Sequence, residues 1–210
     1  MPGAVTGPGV IAGFYGKVPA RGDFVRAGLP RDFTDPWDDW LQTVIAGSRV
    51  QMGEDWLPAY LESPVWRFVL PMGLCGTFSA MGVMMPSVDK AGRYFPLTLA
   101  ALDNRDAFDM NDGWLDRAED AGIAALEKDV SPESLSLMLG SPPVAIEPAA
   151  ILSASLWWTD GAPRVPATRL TLARLPDITT YASMLGARRD YGSVPDDANA
   201  WQDVSREAPS

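Results

Sequence analysis

Two short stretches gather the polar side chains that could do chemistry. One is Met85-Pro86-Ser87-Val88-Asp89-Lys90-Ala91-Gly92-Arg93-Tyr94-Phe95-Pro96, where Ser87, Asp89, Lys90 and Arg93 stand between apolar runs. A hydroxyl three residues ahead of a lysine is the raw material of Ser-Lys hydrolysis, which needs a lysine able to release its proton. Asp89 beside Lys90 stabilises the charged ammonium instead, so this loop makes a poor nucleophile and base. The plainer reading is a hairpin loop that turns at Gly92 and ties Arg93 to Asp89. Loops held between rigid strands also carry recognition, which makes Ser87, Asp89, Arg93 and Tyr94 candidate partner-binding residues. The other stretch is Gly13-Phe14-Tyr15-Gly16-Lys17-Val18-Pro19-Ala20-Arg21-Gly22-Asp23-Phe24. Its Arg21-Gly22-Asp23 triplet reads as a tight turn with positive φ at Gly22 and a local Arg21–Asp23 pair, and both charged residues are candidates for the same partner surface. Neither stretch holds a GxGxxG or GxxxxGK[ST] phosphate loop.

What is missing narrows the chemistry further. The chain has no histidine, which removes Ser-His-Asp and Cys-His catalysis and every histidine-containing metal site. Its one cysteine, Cys75, lies in apolar context and reads as a buried structural thiol. Asp38-Asp39, Asp103 with Asp106, and Asp196-Asp197 fall near helix starts or in loops, where capping and solvation account for them. No catalytic residue, cofactor or metal is therefore expected. With 27 acids against 17 bases the net charge is −10, which repels phosphate backbones and anionic membranes and leaves another protein as the expected partner. The uncharged run from Phe68 to Val88 has the length of a membrane span, but Pro71, Gly73, Gly76, Gly82 and Pro86 interrupt it, so it reads as two buried strands and a turn. Met1 to Ile11 lacks the basic and apolar regions of a signal peptide, and the cytoplasm is the expected compartment.

The elements that must position these loops follow from periodicity. Val10 to Val18 reads as a strand. A helix opens with Asp35 as its cap and Pro36 as its first residue, buries Trp37, Trp40, Leu41, Val44, Ile45 and Met52, and stops at Gly53. A short helix spans Trp56 to Glu62. Val65 to Leu70 alternates, with Val65, Arg67 and Val69 on one side and Trp66, Phe68 and Leu70 on the other; with Phe78 to Met85 and Pro96 to Leu102 it predicts an antiparallel meander. Helices open at Asn111-Asp112 and at Ser131-Pro132, the latter closed by Gly140. Strands follow at Ser153 to Thr159 and Arg169 to Arg174, then a helix from Asp177 to Leu185. Trp157 and Trp158 are adjacent and cannot face the same side of a strand, so either both sheet faces are covered or one ring is partly exposed. The fold expected is an α/β sandwich: a mixed, largely antiparallel central sheet with helices on its faces, one domain over residues 1–187, followed by a polar tail over 188–210.

In order and spacing, the stretch from Gly13 to Phe24, then Ser63-Pro64-Val65-Trp66-Arg67-Phe68, Pro86-Ser87-Val88-Asp89 with Gly92-Arg93-Tyr94-Phe95-Pro96-Leu97, and Ser155-Leu156-Trp157-Trp158-Thr159 resemble the successive motifs of the TagF (ImpM) family. The likeness runs from about Gly13 to Leu185. It implies a cytoplasmic accessory protein of the bacterial type VI secretion system that represses secretion post-translationally, with a forkhead-associated-domain scaffold protein as partner. The family supplies no catalytic residues to carry over. A structural subunit of the secretion apparatus is the alternative role, and a hydrolase built on Ser87, Asp89 and Arg93 a more remote one.

Overall fold

A computed structural model of the protein describes residues 10–104, 112–140 and 153–187. Among the described residues seven strands form one sheet: β1 (Ile11–Gly16), β2 (Val25–Ala27), β3 (Trp66–Leu70), β4 (Ser79–Met85), β5 (Leu97–Asp103), β6 (Ser155–Thr159) and β7 (Thr168–Leu172). Their spatial order is β2-β1-β5-β4-β3-β6-β7, and every neighbouring pair is antiparallel. The meander of β3, β4 and β5 is therefore present, and the expected mixed sheet is antiparallel throughout. β4 and β5 lie at its centre, with every residue of both buried. Side chains of one sign of the pleat cannot leave the core there, and neither strand carries a charge before Asp103.

The helices are α1 (Arg31–Met52), α2 (Trp56–Leu61), α3 (Asp112–Glu127), α4 (Pro132–Leu139) and α5 (Ile178–Met184). Alternation along the strands feeds two separate cores. Trp66, Phe68 and Leu70 of β3 join Trp37, Leu41, Trp56, Tyr60, Trp157 and Tyr181 beneath α1, α2 and α5. Val69, Met81, Val83, Leu97 and Leu99 face the other way, onto Trp114, Leu115, Ala118 and Leu135 of α3 and α4. The result is the α/β sandwich, one sheet between two helical layers. Trp157 is fully buried in the first core, whereas Trp158 is half-buried on the opposite face, so both halves of the sequence argument about that pair hold.

The start of α1 corrects the sequence reading. The helix begins at Arg31, after Pro30, and Pro36 lies inside it rather than at its first position; Asp35 is not its cap. The amide hydrogens of Phe33 and Thr34 reach the Pro30 carbonyl, at 3.1 and 3.0 Å, and set the helix going a turn early. Pro36 then withholds the amide that Asp32's carbonyl would have received. Gly76 packs against that carbonyl, and Asp32 Oδ2 takes the Thr77 amide and hydroxyl, both at 2.7 Å. Those two hydrogen bonds hold the Asp32 carboxyl below the usual carboxylate range. Tertiary contacts thus extend the helix across a residue that local rules place at its boundary.

Ser131 caps α4 by accepting the Ser134 amide, and Asp177 caps α5 by accepting the Thr180 amide at 2.7 Å. β2 has only three residues and lies opposite Phe14 to Gly16; its sequence carries no strand signal of its own. The 188–210 tail, Asp106, Asn111 and the Ser141-Pro142-Pro143 loop fall outside the described residues.

Candidate functional site

The two polar stretches meet at one corner of the sheet, where β1 runs out beside the start of β5. Gly16 makes this approach possible: its φ is 144°, and a Cβ there would lie 2.2 Å from the Pro96 carbonyl oxygen. Lys17 follows and points inward. Its ammonium lies 2.5 Å from Asp89 Oδ2, and the two side chains are 6% and 0% exposed. Arg93 Nε donates to the same oxygen at 2.7 Å, while the amides of Ala91 and Arg93 donate to Oδ1 at 2.9 Å each. Burial alone would raise the Asp89 carboxyl. The hydrogen bonds from Lys17 and from the Arg93 amide and guanidinium, with the charge of Lys17, outweigh it and hold the group well below the usual range. Asp89 is a structural anion that remains ionised at any physiological pH.

The rest of the corner closes around this ion pair. Ser87 Oγ donates to the Lys17 carbonyl at 2.6 Å, and Lys90's amide donates to the Arg21 carbonyl at 3.0 Å. Arg93 Nη2 also reaches the Gly22 carbonyl. The Tyr60 hydroxyl donates to the Ser87 carbonyl at 2.9 Å and accepts the Ser87 amide at 3.1 Å; burial raises its pKa. Val88 pairs with Tyr94 across the loop, which turns at Gly92, φ 78°. Phe24 stacks on Tyr15 and meets Phe95 edge-on, with the Lys17 ammonium 5.0 Å from its ring centre.

The six candidates thus divide. Ser87 and Asp89 are buried and engaged in bracing. Tyr94 is half-buried against Trp56, Tyr60 and the Arg49 guanidinium. Arg93 bridges inside and outside, with its side chain 58% exposed. Arg21 and Asp23 are exposed, and with Phe24, Arg26, Pro132 and Glu133 they line an open groove between the first loop and the start of α4. Two local details differ from the sequence reading. Gly22 does not take positive φ, and Arg21 reaches Asp129, at 3.8 Å, rather than Asp23. The carboxylate expected to hold Lys90 holds Lys17. That lysine, and Tyr60 behind it, escaped the sequence reading because their partners lie 72 and 27 residues away.

No nucleophile is presented at this corner. The Ser87 hydroxyl is buried with its proton directed at a carbonyl, and the nearest cations are committed to Asp89. Cys75 lies under α1, its Sγ 3.7 Å from the Phe33 carbonyl oxygen, and burial pushes the thiol up to about 12. Asp38 accepts the Tyr15 hydroxyl at 2.7 Å. Among the described residues no cluster of acids and cysteine could hold a metal ion, and no helix is long and apolar enough to cross a membrane.

The residues that build this corner fall within a family-model match. Residues 13–141 match the TagF N-terminal domain, described as type VI secretion system-associated. The chain belongs to the TagF family. The same architecture occurs in the crystal structure of PA0076 from Pseudomonas aeruginosa PAO1, with a TM-score of 0.76 and 34% sequence identity over 88% of this chain and 97% of that one. No curated protein matches. β6, β7 and α5 lie beyond residue 141 and complete this chain's sheet and its first core.

Proposed function

We propose that this TagF-family protein represses type VI secretion post-translationally by holding a forkhead-associated-domain scaffold protein in the cytoplasm, as a binder and not as an enzyme. One observation carries the reading: the Lys17–Asp89–Arg93 knot fixes the first loop from below while Arg21, Asp23, Phe24 and the outer part of Arg93 stay on the surface. A loop stiffened in this way loses little conformational freedom when it binds, which favours recognition. The engaged Ser87 hydroxyl and the low-lying Asp89 carboxyl support the same reading, since a hydrolase would need one of them free to move a proton.

Repression by sequestration obeys mass action, so raising the level of the protein silences secretion in proportion to scaffold bound. The test is affinity capture of the scaffold with Arg21→Glu, Asp23→Lys and Phe24→Ala chains, each confirmed folded by circular dichroism. At least one of the three is expected to lose the scaffold and to release secretion. If all three retain the scaffold and still silence secretion, this surface is not the contact.

A further inference from the structure

We propose that the outer edge of β7 is a docking edge for an extended polypeptide segment in which carboxylate side chains alternate with apolar ones. β7 ends the sheet, and among the described strands it pairs only with β6. Its residues alternate between half-buried and exposed. Leu170 and Leu172 lean on the first core, while Arg169 and Thr171 point to the opposite face. There the Arg169 guanidinium lies 5.7 Å from the ring centre of half-buried Trp158. A strand added to this edge would place every second side chain beside Arg169 and Thr171, and the others beside Leu170 and Leu172.

Charge selects the occupant. From Gly161 to Pro176 the chain carries Arg164, Arg169 and Arg174 and no acid, in a protein whose net charge is −10. Arg164 is committed to Glu62 at 2.6 Å. Arg169 and Arg174 make no ion pair among the described residues. A second copy pairing antiparallel along the full length of β7 would set Arg169 opposite Thr171 and diagonal to the other copy's Arg169 on the same face, where like charges gain nothing from the pairing. An incoming strand with carboxylates on the Arg169 face turns the same charges into cross-strand pairs. β2, at the other end of the sheet, is only three residues long and offers no comparable ladder. This inference is independent of repression and of the corner around Asp89.

The probe is a labelled, end-capped peptide of alternating glutamate and valine, titrated into the intact chain at low salt and followed by fluorescence anisotropy and amide hydrogen exchange. Binding is expected, with new protection at amides of residues 168–172 and at least about fivefold weakening by Arg169→Glu, whose circular dichroism stays unchanged. Replacing glutamate by lysine in the peptide should abolish binding to the natural chain and restore it to the R169E variant. The proposal is overturned by absence of binding at millimolar peptide, by equal binding to R169E, or by protection appearing elsewhere. It is equally overturned if amides on the outer edge of β7 are already protected without peptide, and lose that protection on removal of residues 188–210 or on dilution. Those results would mean that the chain's own end or a second copy occupies the edge.

Discussion

Asp89 accepts four hydrogen bonds from three directions, and its depressed pKa has a definite sign in the stability of the fold. A carboxyl whose folded pKa lies below its unfolded value of about 3.9 contributes stability that is complete above that pH. The contribution drains away as the pH falls further, through the folded value. Urea midpoints of the natural chain and of Asp89→Asn should therefore differ most at neutral pH and converge on acidification below about pH 4. A constant gap down to pH 2 would mean that the charge of Asp89 is not what stabilises the corner. Lys17 offers the complementary test. Replacing it with methionine removes the deeper of the two cations, and breaking a buried pair of this kind costs about 3 kcal/mol. Thermal unfolding should show a clear fall in melting temperature for Lys17→Met. For Lys90→Met the change should be within about 0.5 kcal/mol, because that residue is exposed and Asp89 pairs with Lys17 and Arg93 instead.

At the scale of elements, the seam between β1 and β5 and the seat of α1 can each be tested by one substitution. Gly16→Ala would force a side chain into a positive-φ backbone and onto the Pro96 carbonyl, which together cost about 3 kcal/mol. The expected outcome is a lowered denaturation midpoint, with faster amide exchange along residues 11–16 and 97–103. Trp37 pins α1 to the sheet. It is fully buried, stacks on Phe33, meets both Phe68 and Trp157 in one ring cluster, and donates from Nε1 to Thr98 Oγ1 at 3.0 Å. Trp37→Ala should cost about 4 kcal/mol in chemical denaturation, since it empties a large volume and orphans a hydroxyl. The periodic part of these elements was legible from residue types: the two-sided alternation of 65–70, the apolar stripe of α1 and the helix starts at Ser131-Pro132 and near Asp177 all read correctly. The opening of α1 was not, because Pro36 is locally a start signal and the contacts of Asp32 with Gly76 and Thr77 carry the helix back beyond it. β2 was invisible because three residues cannot display a period. At the candidate site, Gly92 and the Asp89–Arg93 tie were readable from a five-residue window. The pairing of Lys17 with Asp89 depends on how distant strands align, and no local pattern carries that.

For the molecule as a whole, one sheet serves two cores, and β3, β4 and β5 each send side chains into both. Neither helical layer can leave without stripping the strands on which the other depends. Far-UV circular dichroism and tryptophan fluorescence should therefore report a single coincident unfolding transition, even though Trp37 and Trp157 lie on one face and Trp114 on the other. Two separated transitions would show that the layers are independent after all. Being a member of the TagF family, associated with type VI secretion, the chain combines this cooperative scaffold with a negative net charge and two local exceptions to it: the corner of Arg21 and Arg93, and the arginine-bearing edge of β7.

The pairing of β1 with β5 has a consequence for synthesis. Apart from the three residues of β2, β1 has no neighbour among the described strands until residues 97–103 exist. At translation speeds of about 5–20 residues per second, the roughly 85 intervening residues take about 4–17 s to emerge. During that interval Phe14 and its flanking strand wait with the hydrogen-bonding groups of one edge unmatched, so the nascent chain is most exposed to wrong pairing before β5 emerges.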